Sequence, residues 1–143
     1  MSRLVEQIDI DAPADQVWAQ LNEFDAYPQF VDGVRSAFVD RGDRARFEVS
    51  IGGEQRELIS ELNQRTNERE LGWRTISGSP DLKGALAVRE VDAGHCELQA
   101  RLEYDGDELR EAFGGPKGFA QVRAVEQAVR TDLEHFKELV EKR

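Results

Sequence analysis

The stretch from Phe119 to Val140, FAQVRAVEQAVRTDLEHFKELV, decides the fold. Phe119, Val122, Val125, Val129, Leu133, Phe136 and Val140 recur at steps of three and four, the spacing of one face of an α-helix. Gln121, Arg123, Gln127, Arg130, Glu134, Lys137, Glu138 and Glu141 lie between them and suit a wet face. No Gly or Pro interrupts the run, and Lys142 and Arg143 put positive charge where a helix C-terminus favours it. A long amphipathic helix needs a surface to lie against. The rest of the chain reads as a sheet able to provide one.

One residue breaks the stripe. At about 100° per residue, Glu126 falls only about 40° from Val122 and Val140. It either swings out to pair with Arg130 at i+4, or stands as a carboxylate at the wall of an internal cavity.

Before the helix, the pattern is mostly one of strands. Leu4 to Ile10 reads as the first, with Leu4, Ile8 and Ile10 on one parity and Glu6 interrupting it. Asp11 to Asp15 is a helix start with Pro13 at its first position. Val17, Trp18, Leu21 and Phe24 follow at helical spacing. Asp25 to Pro28 reads as a break, and Gln29-Phe30-Val31 as a short second helix. Trp18, Phe24, Tyr27 and Phe30 form an aromatic cluster, read first as a small structural core.

Strands joined by tight turns come next: Val34 to Asp40, Arg44 to Ile51, Glu54 to Asn63, Glu70 to Ser77, Leu82 to Val91, and a last run ending at Tyr104. Gly52-Gly53 is a two-residue hairpin turn. In the last strand Cys96, Leu98, Ala100, Leu102 and Tyr104 alternate with His95, Glu97, Gln99, Arg101 and Glu103. Such alternation gives one dry and one wet face, and short turns imply an antiparallel meander. Glu108 to Phe113 reads as a helical turn, and Gly114 to Gly118 as a turn into the long helix. The expected fold is α+β: a curved seven-stranded antiparallel sheet wrapped around a long C-terminal helix, with two short helices after the first strand. A curved sheet and a helix meet imperfectly, which leaves room for a cavity.

The 143 residues read as one domain. A net charge of −10 makes nucleic acid and anionic membrane surfaces poor partners. No stretch approaches the length of a membrane span, and Met1 to Gln7 has no apolar signal-like run, so the expected location is the cytoplasm. Cys96 is the single cysteine and sits on the apolar parity, which suits a buried inert thiol. His95 and His135 have no motif around them, so no metal site and no cofactor are expected. The glycine loop lacks the spacing of a phosphate cradle. Monomer and dimer both stay open, since a strand edge can pair with another chain unless its charges discourage it.

Several segments taken together resemble a known family. Ile8 to Pro13 followed by Val17-Trp18 is similar to its opening, and Phe24 to Phe30 with Gly33-Val34 to its second segment. Ile51-Gly52-Gly53, then Leu71-Gly72-Trp73-Arg74 with Gly78, resemble its middle; Asp132-Leu133 and Phe136-Lys137 resemble its helix end. The ordered set resembles the START-like superfamily with the helix-grip fold, and within it bacterial proteins of the polyketide cyclase/dehydrase family. Gly94-His95 stands where that family usually has Gly-Thr, a departure confined to a turn. The resemblance implies an apolar ligand between sheet and helix, lipid, quinone or polyketide-like. Some similar proteins are aromatase/cyclases, and some associate with other proteins.

Three functions follow. The first is a binder whose wall is Phe30, Phe47, Val49, Trp73, Thr75, Leu86, Leu98, Tyr104, Phe119 and Val122, each facing inward by parity or helix angle. Thr75, Tyr104 and Glu126 would be its polar groups, and Phe113 and Phe119 a gate. The second is a cyclase or dehydratase with Glu126 as acid or base and Tyr104 stabilising an enolate. The third is a protein-interaction module.

Overall fold

The structure is a computed structural model that describes residues 2–40, 42–51, 54–78, 81–108 and 119–142. Strand β1 (Ser2–Ile10) leads into helix α1 (Ala14–Leu21), followed by a 3-10 helix (Phe24–Gln29). Six strands then run in succession: β2 (Val34–Asp40), β3 (Arg44–Ile51), β4 (Glu54–Arg65), β5 (Glu70–Ser77), β6 (Leu82–Asp92) and β7 (His95–Tyr104). A short 3-10 turn (Thr66–Glu68) joins β4 to β5. Helix α2 (Phe119–Glu141) closes the chain. The expected order of elements is therefore observed.

One boundary differs. Gln29 to Val31 was the expected second helix and Asp25 to Pro28 a break, but the helix is the 3-10 segment Phe24–Gln29, with Pro28 inside it. A 3-10 turn tolerates what an α-helix does not, because Pro28 lacks only a donor that so short an element scarcely uses. The segment is fixed by burial: Phe24, Ala26 and Tyr27 point inward, and the Tyr27 hydroxyl donates to the Leu21 carbonyl at 2.8 Å. The helical turn expected over Glu108 to Phe113 is described only at 106–108, which are helical; the glycine loop lies outside the described residues.

The sheet is antiparallel throughout, with strands in the order β1-β7-β6-β5-β4-β3-β2. The first strand pairs with the last along its whole length, from Ser2 with Tyr104 to Ile10 with Cys96. Ile51 pairs with Glu54, which closes a two-residue hairpin. Register shifts between Val34 and Ser36, Ile59 and Ser60, and Glu90 and Asp92 are the irregularities that bend strands and deepen twist. The dry face carries Ala45, Val49, Leu58, Leu62, Leu71, Leu98 and Ala100.

Helix α2 lies against that face unevenly. Val140, Phe136 and Leu133 are 0%, 1% and 7% exposed. One and two turns nearer its N-terminus, Val129 and Val125 are only half-buried, and Ala128 and Ala124 are exposed. The C-terminal half is also tied down by polar contacts. Glu141 accepts from the Asp11 backbone N–H at 2.8 Å, Lys137 donates to the Asp9 carbonyl at 2.8 Å, and Gln16 donates to the Val140 carbonyl at 3.2 Å. Glu6, the interruption in β1, pairs with Arg130 of the helix at 3.1 Å.

Two glycines on β5 and β6 behave differently. Gly84 faces Trp73 across the ladder, and a Cβ there would collide with Trp73 Cζ2 and sit 2.8 Å from the Arg101 carbonyl oxygen. A Cβ on Gly72 would meet nothing nearer than 3.8 Å. Gly84→Ala is therefore expected to cost about 1–3 kcal/mol through displacement of the indole, with an altered tryptophan emission spectrum. Gly72→Ala should cost clearly less. Thermal unfolding of both variants checks this, and equal losses would contradict it.

Candidate functional site

A cavity of about 490 Å³ lies between the dry face of the sheet, the 3-10 segment and the cavity side of α2. Its floor comes from six strands, with Val34 of β2, Phe47 and Val49 of β3, Leu58 and Leu62 of β4, Trp73 of β5, Leu86 of β6 and Leu98 of β7 among its residues. Phe24, Tyr27 and Phe30 close one end, and Val125, Ala128, Val129, Asp132 and Phe136 form the helix side.

An aromatic relay holds that closed end. Phe24 stacks on Tyr27 with centroids 5.3 Å apart, and Tyr27 meets Phe30 at 4.8 Å and Phe47 at 6.2 Å. Phe30 meets Phe136 edge-on at 4.9 Å. The 3-10 segment is thus linked to β3 on one side and α2 on the other by rings whose preferred tilted geometries add to their burial. Burial also pushes the Tyr27 phenol above its ordinary range, so it is a neutral donor.

Phe30, Phe47, Val49, Trp73, Thr75, Leu86 and Leu98 all lie in the cavity wall. The Thr75 hydroxyl accepts from the Leu82 backbone N–H at 3.3 Å. Tyr104 is 1% exposed and packs with Leu4, Leu82, Leu102, Val125 and Val129, in a cluster at the margin of the wall; it is not among the described lining residues. Glu126 pairs with Arg130 at 2.8 Å, beside Glu6 of β1, and it too is absent from the described lining. Phe113, and the side chains of Phe119 and Val122, lie outside the described residues. Cys96 is 1% exposed, and burial pushes its thiol up.

Asp132 is the carboxyl that the wall does contain, and the sequence reading passed over it. At about 100° per residue it lies about 20° from Val125 and about 40° from Phe136, well inside the apolar stripe. Its Oδ1 accepts from the Asp32 backbone N–H at 3.2 Å, which joins α2 to the turn before β2. Desolvation pushes its pKa up to about 6; the Asp32 hydrogen bond pulls the other way, and the Asp32 charge adds to the rise. Ser60, 3% exposed, also lines the wall and sits opposite Thr75 in the ladder, beside the register shift at which Ile76 of β5 is left unpaired. It shares the inward parity of Leu58 and Leu62, and one serine did not stand out among the polar residues of that strand.

Among the described residues no group of His, Cys, Asp and Glu is arranged to hold a metal ion. No described helix is long and apolar enough to cross a membrane.

The family model for polyketide cyclase / dehydrase and lipid transport proteins matches residues 1–141. The chain belongs to that family. An uncharacterized 17.2 kDa protein of Streptomyces lincolnensis is 24% identical over all of this chain and 92% of its own length. Among solved structures, the Zhui aromatase/cyclase from Streptomyces sp. R1128 superposes with a TM-score of 0.79 at 19% identity, covering 99% of this chain and 94% of that one. The di-domain ARO/CYC BexL from the BE-7585A biosynthetic pathway superposes with a TM-score of 0.77 at 26% identity. The match covers 99% of this chain but 47% of BexL, so this chain spans about half of that protein's length. A START superfamily protein from Mycobacterium smegmatis shares the fold, with a TM-score of 0.72 at 16% identity over 98% of this chain and 94% of that one. The fold is the helix-grip arrangement that these structures share.

The Asp132 carboxyl makes a prediction about stability. A carboxyl whose pKa is raised on folding favours the folded state while protonated. That contribution is present below the ordinary range near 4 and is lost as pH rises through about 6. Asp132→Asn keeps an acceptor for Asp32 and removes the charge. Its stability relative to the native protein should therefore rise between about pH 4 and about pH 7, to a gain of roughly 1 kcal/mol once solvent screening of a half-exposed group is allowed for. Thermal melts of the pair across that range check the sign; a constant difference would contradict it.

Proposed function

We propose that the chain acts as a single domain, residues 1–143, that binds a small hydrophobic ligand in the cavity between sheet and helix. The observation that carries this reading is the cavity itself. A volume of about 490 Å³ bounded by Phe30, Phe47, Trp73, Leu86, Leu98 and Phe136 falls in the range of roughly 300–1,000 Å³ typical of small-molecule sites. An apolar space of this size would cost stability if it stayed empty, and an apolar ligand offsets that cost. Family membership supports the reading, since the family's description includes lipid transport.

A second reading, a cyclase or dehydratase, is favoured by a separate observation. Asp132 puts a carboxyl with a pKa near neutrality in contact with the cavity, which suits proton transfer to or from a carbonyl or hydroxyl compound held there. It joins Glu126 and Tyr104 as an acid–base candidate. The family's description and the names of Zhui and BexL are in keeping with this chemistry. In an assay of polyketide cyclisation, loss of turnover in Asp132→Asn with none in Glu126→Gln would place the chemistry at Asp132; the reverse would place it at Glu126.

Native mass spectrometry of protein purified without detergent, followed by organic extraction, tests the first reading. A discrete apolar adduct is expected, together with saturable binding of a solvatochromic dye. Both should be lost in Phe47→Arg or Trp73→Arg variants that still fold, because an unpaired guanidinium in an apolar wall is strongly disfavoured. A protein that holds neither adduct nor dye would overturn the reading and direct attention to a protein partner.

A further inference from the structure

The inference here rests on the binding reading and concerns which ligands the cavity accepts. Its polar features are few. Asp132 and Asp32 bring carboxylates to the same end of the wall, joined through the Asp32 N–H. Among the described lining residues the cationic one is Arg101, which shares the wet parity of β7 and is paired with Glu70 at 2.8 Å. Ser60 and Thr75 offer neutral hydroxyls on the sheet side. No described lining residue therefore supplies a positive group to meet an anion inside.

Asp132 has capacity to spare. An ionised carboxylate accepts at about four lone-pair positions, and among the described residues only the Asp32 N–H donates to it. A ligand hydroxyl can donate to the unused oxygen, where it gains a charge-assisted hydrogen bond in a partly desolvated setting. A ligand carboxylate meets the opposite situation. Two like charges about 5 Å apart at an effective dielectric near 20 repel strongly, and because Asp132 can relieve the repulsion by taking up a proton at a pKa of about 6, binding near pH 7 is weakened roughly tenfold.

We infer that the cavity is charge-selective: it takes an uncharged apolar molecule bearing a hydroxyl donor and discriminates, through Asp132, against the same molecule ending in a carboxylate. Free fatty acids are accordingly poor ligands, and long-chain alcohols, phenols and hydroxylated ring systems are good ones.

The test uses dodecanol and dodecanoate, matched in chain length, displacing a solvatochromic dye from the full chain near neutral pH and below the concentration at which either self-associates. Any apolar site prefers the alcohol somewhat, so the readout is the ratio of the two affinities in the native protein compared with that in Asp132→Asn. The ratio is expected to fall about tenfold in the variant, mainly because dodecanoate binds better. Asp132→Ser removes the charge by another route and should give the same direction, which keeps the test decisive if one variant fails to fold. A ratio unchanged in folded variants would overturn the selectivity while leaving the cavity reading intact, as would a native protein that binds dodecanoate as tightly as dodecanol. Failure of the dye and both probes to bind the native protein would overturn the cavity reading itself.

Discussion

The structure depends on a one-ended grip. Phe136 and Val140 of α2 are sealed against the sheet and α1, and Leu133 nearly so. Backbone and side-chain contacts to Asp9, Asp11 and Gln16 hold that end in place. Toward its N-terminus the helix buries less at each turn, until Ala124 and Ala128 are exposed. A rigid helix on a curved sheet cannot touch everywhere. At Leu133, Phe136 and Val140 it touches; beside Ala124, Val125, Ala128 and Val129 a space remains. The small side chains at those four positions leave the cavity its room, together with strands that bend at their irregularities.

The sealed end of α2 is braced by the aromatic relay, which meets it at Phe136. Phe24, Tyr27 and Phe30 come from a segment too short and too proline-bearing to be stable alone. They are held by rings on β3 and α2, and in turn fix the distance between those elements. The turn that follows delivers the Asp32 N–H to Asp132, so the polar end of the cavity is built from the same joint that closes its apolar end. This arrangement separates two roles within one helix. The side facing β1 carries Arg130 between Glu6 and Glu126, an exposed network worth little to stability and suited to setting the helix's rotation. The other side faces the cavity.

Most of the fold was legible in the sequence because its signals are local and repeated. Alternation over seven strands and a stripe over six helical turns each supply many independent residues. The resemblance carried by Ile8 to Pro13 and Leu71 to Arg74 agreed with them. The cavity wall was legible on the strands for the same reason, through Phe47, Val49, Trp73, Leu86 and Leu98. The polar groups were not. Glu126 and Asp132 both fall within the helical stripe, and an angle on a wheel does not say which side of the helix faces a strand and which a void. Only the position of Glu6 and Arg130 separates them. The 3-10 segment was hidden by a proline that reads as a breaker. The two carboxyls share one cause: the surroundings of each depend on a partner distant in sequence.

The central claim is that Trp73 stands in the wall of a ligand site and Trp18, elsewhere in the same core, does not. A bromine-tipped dodecanol quenches tryptophan only on near contact, and the chain has only these two tryptophans. Titrating it into Trp18→Phe, which leaves Trp73 alone, should quench emission saturably at one ligand per chain, whereas Trp73→Phe should show little quenching. Absence of saturable quenching at Trp73, or equal quenching of Trp18, would contradict the account.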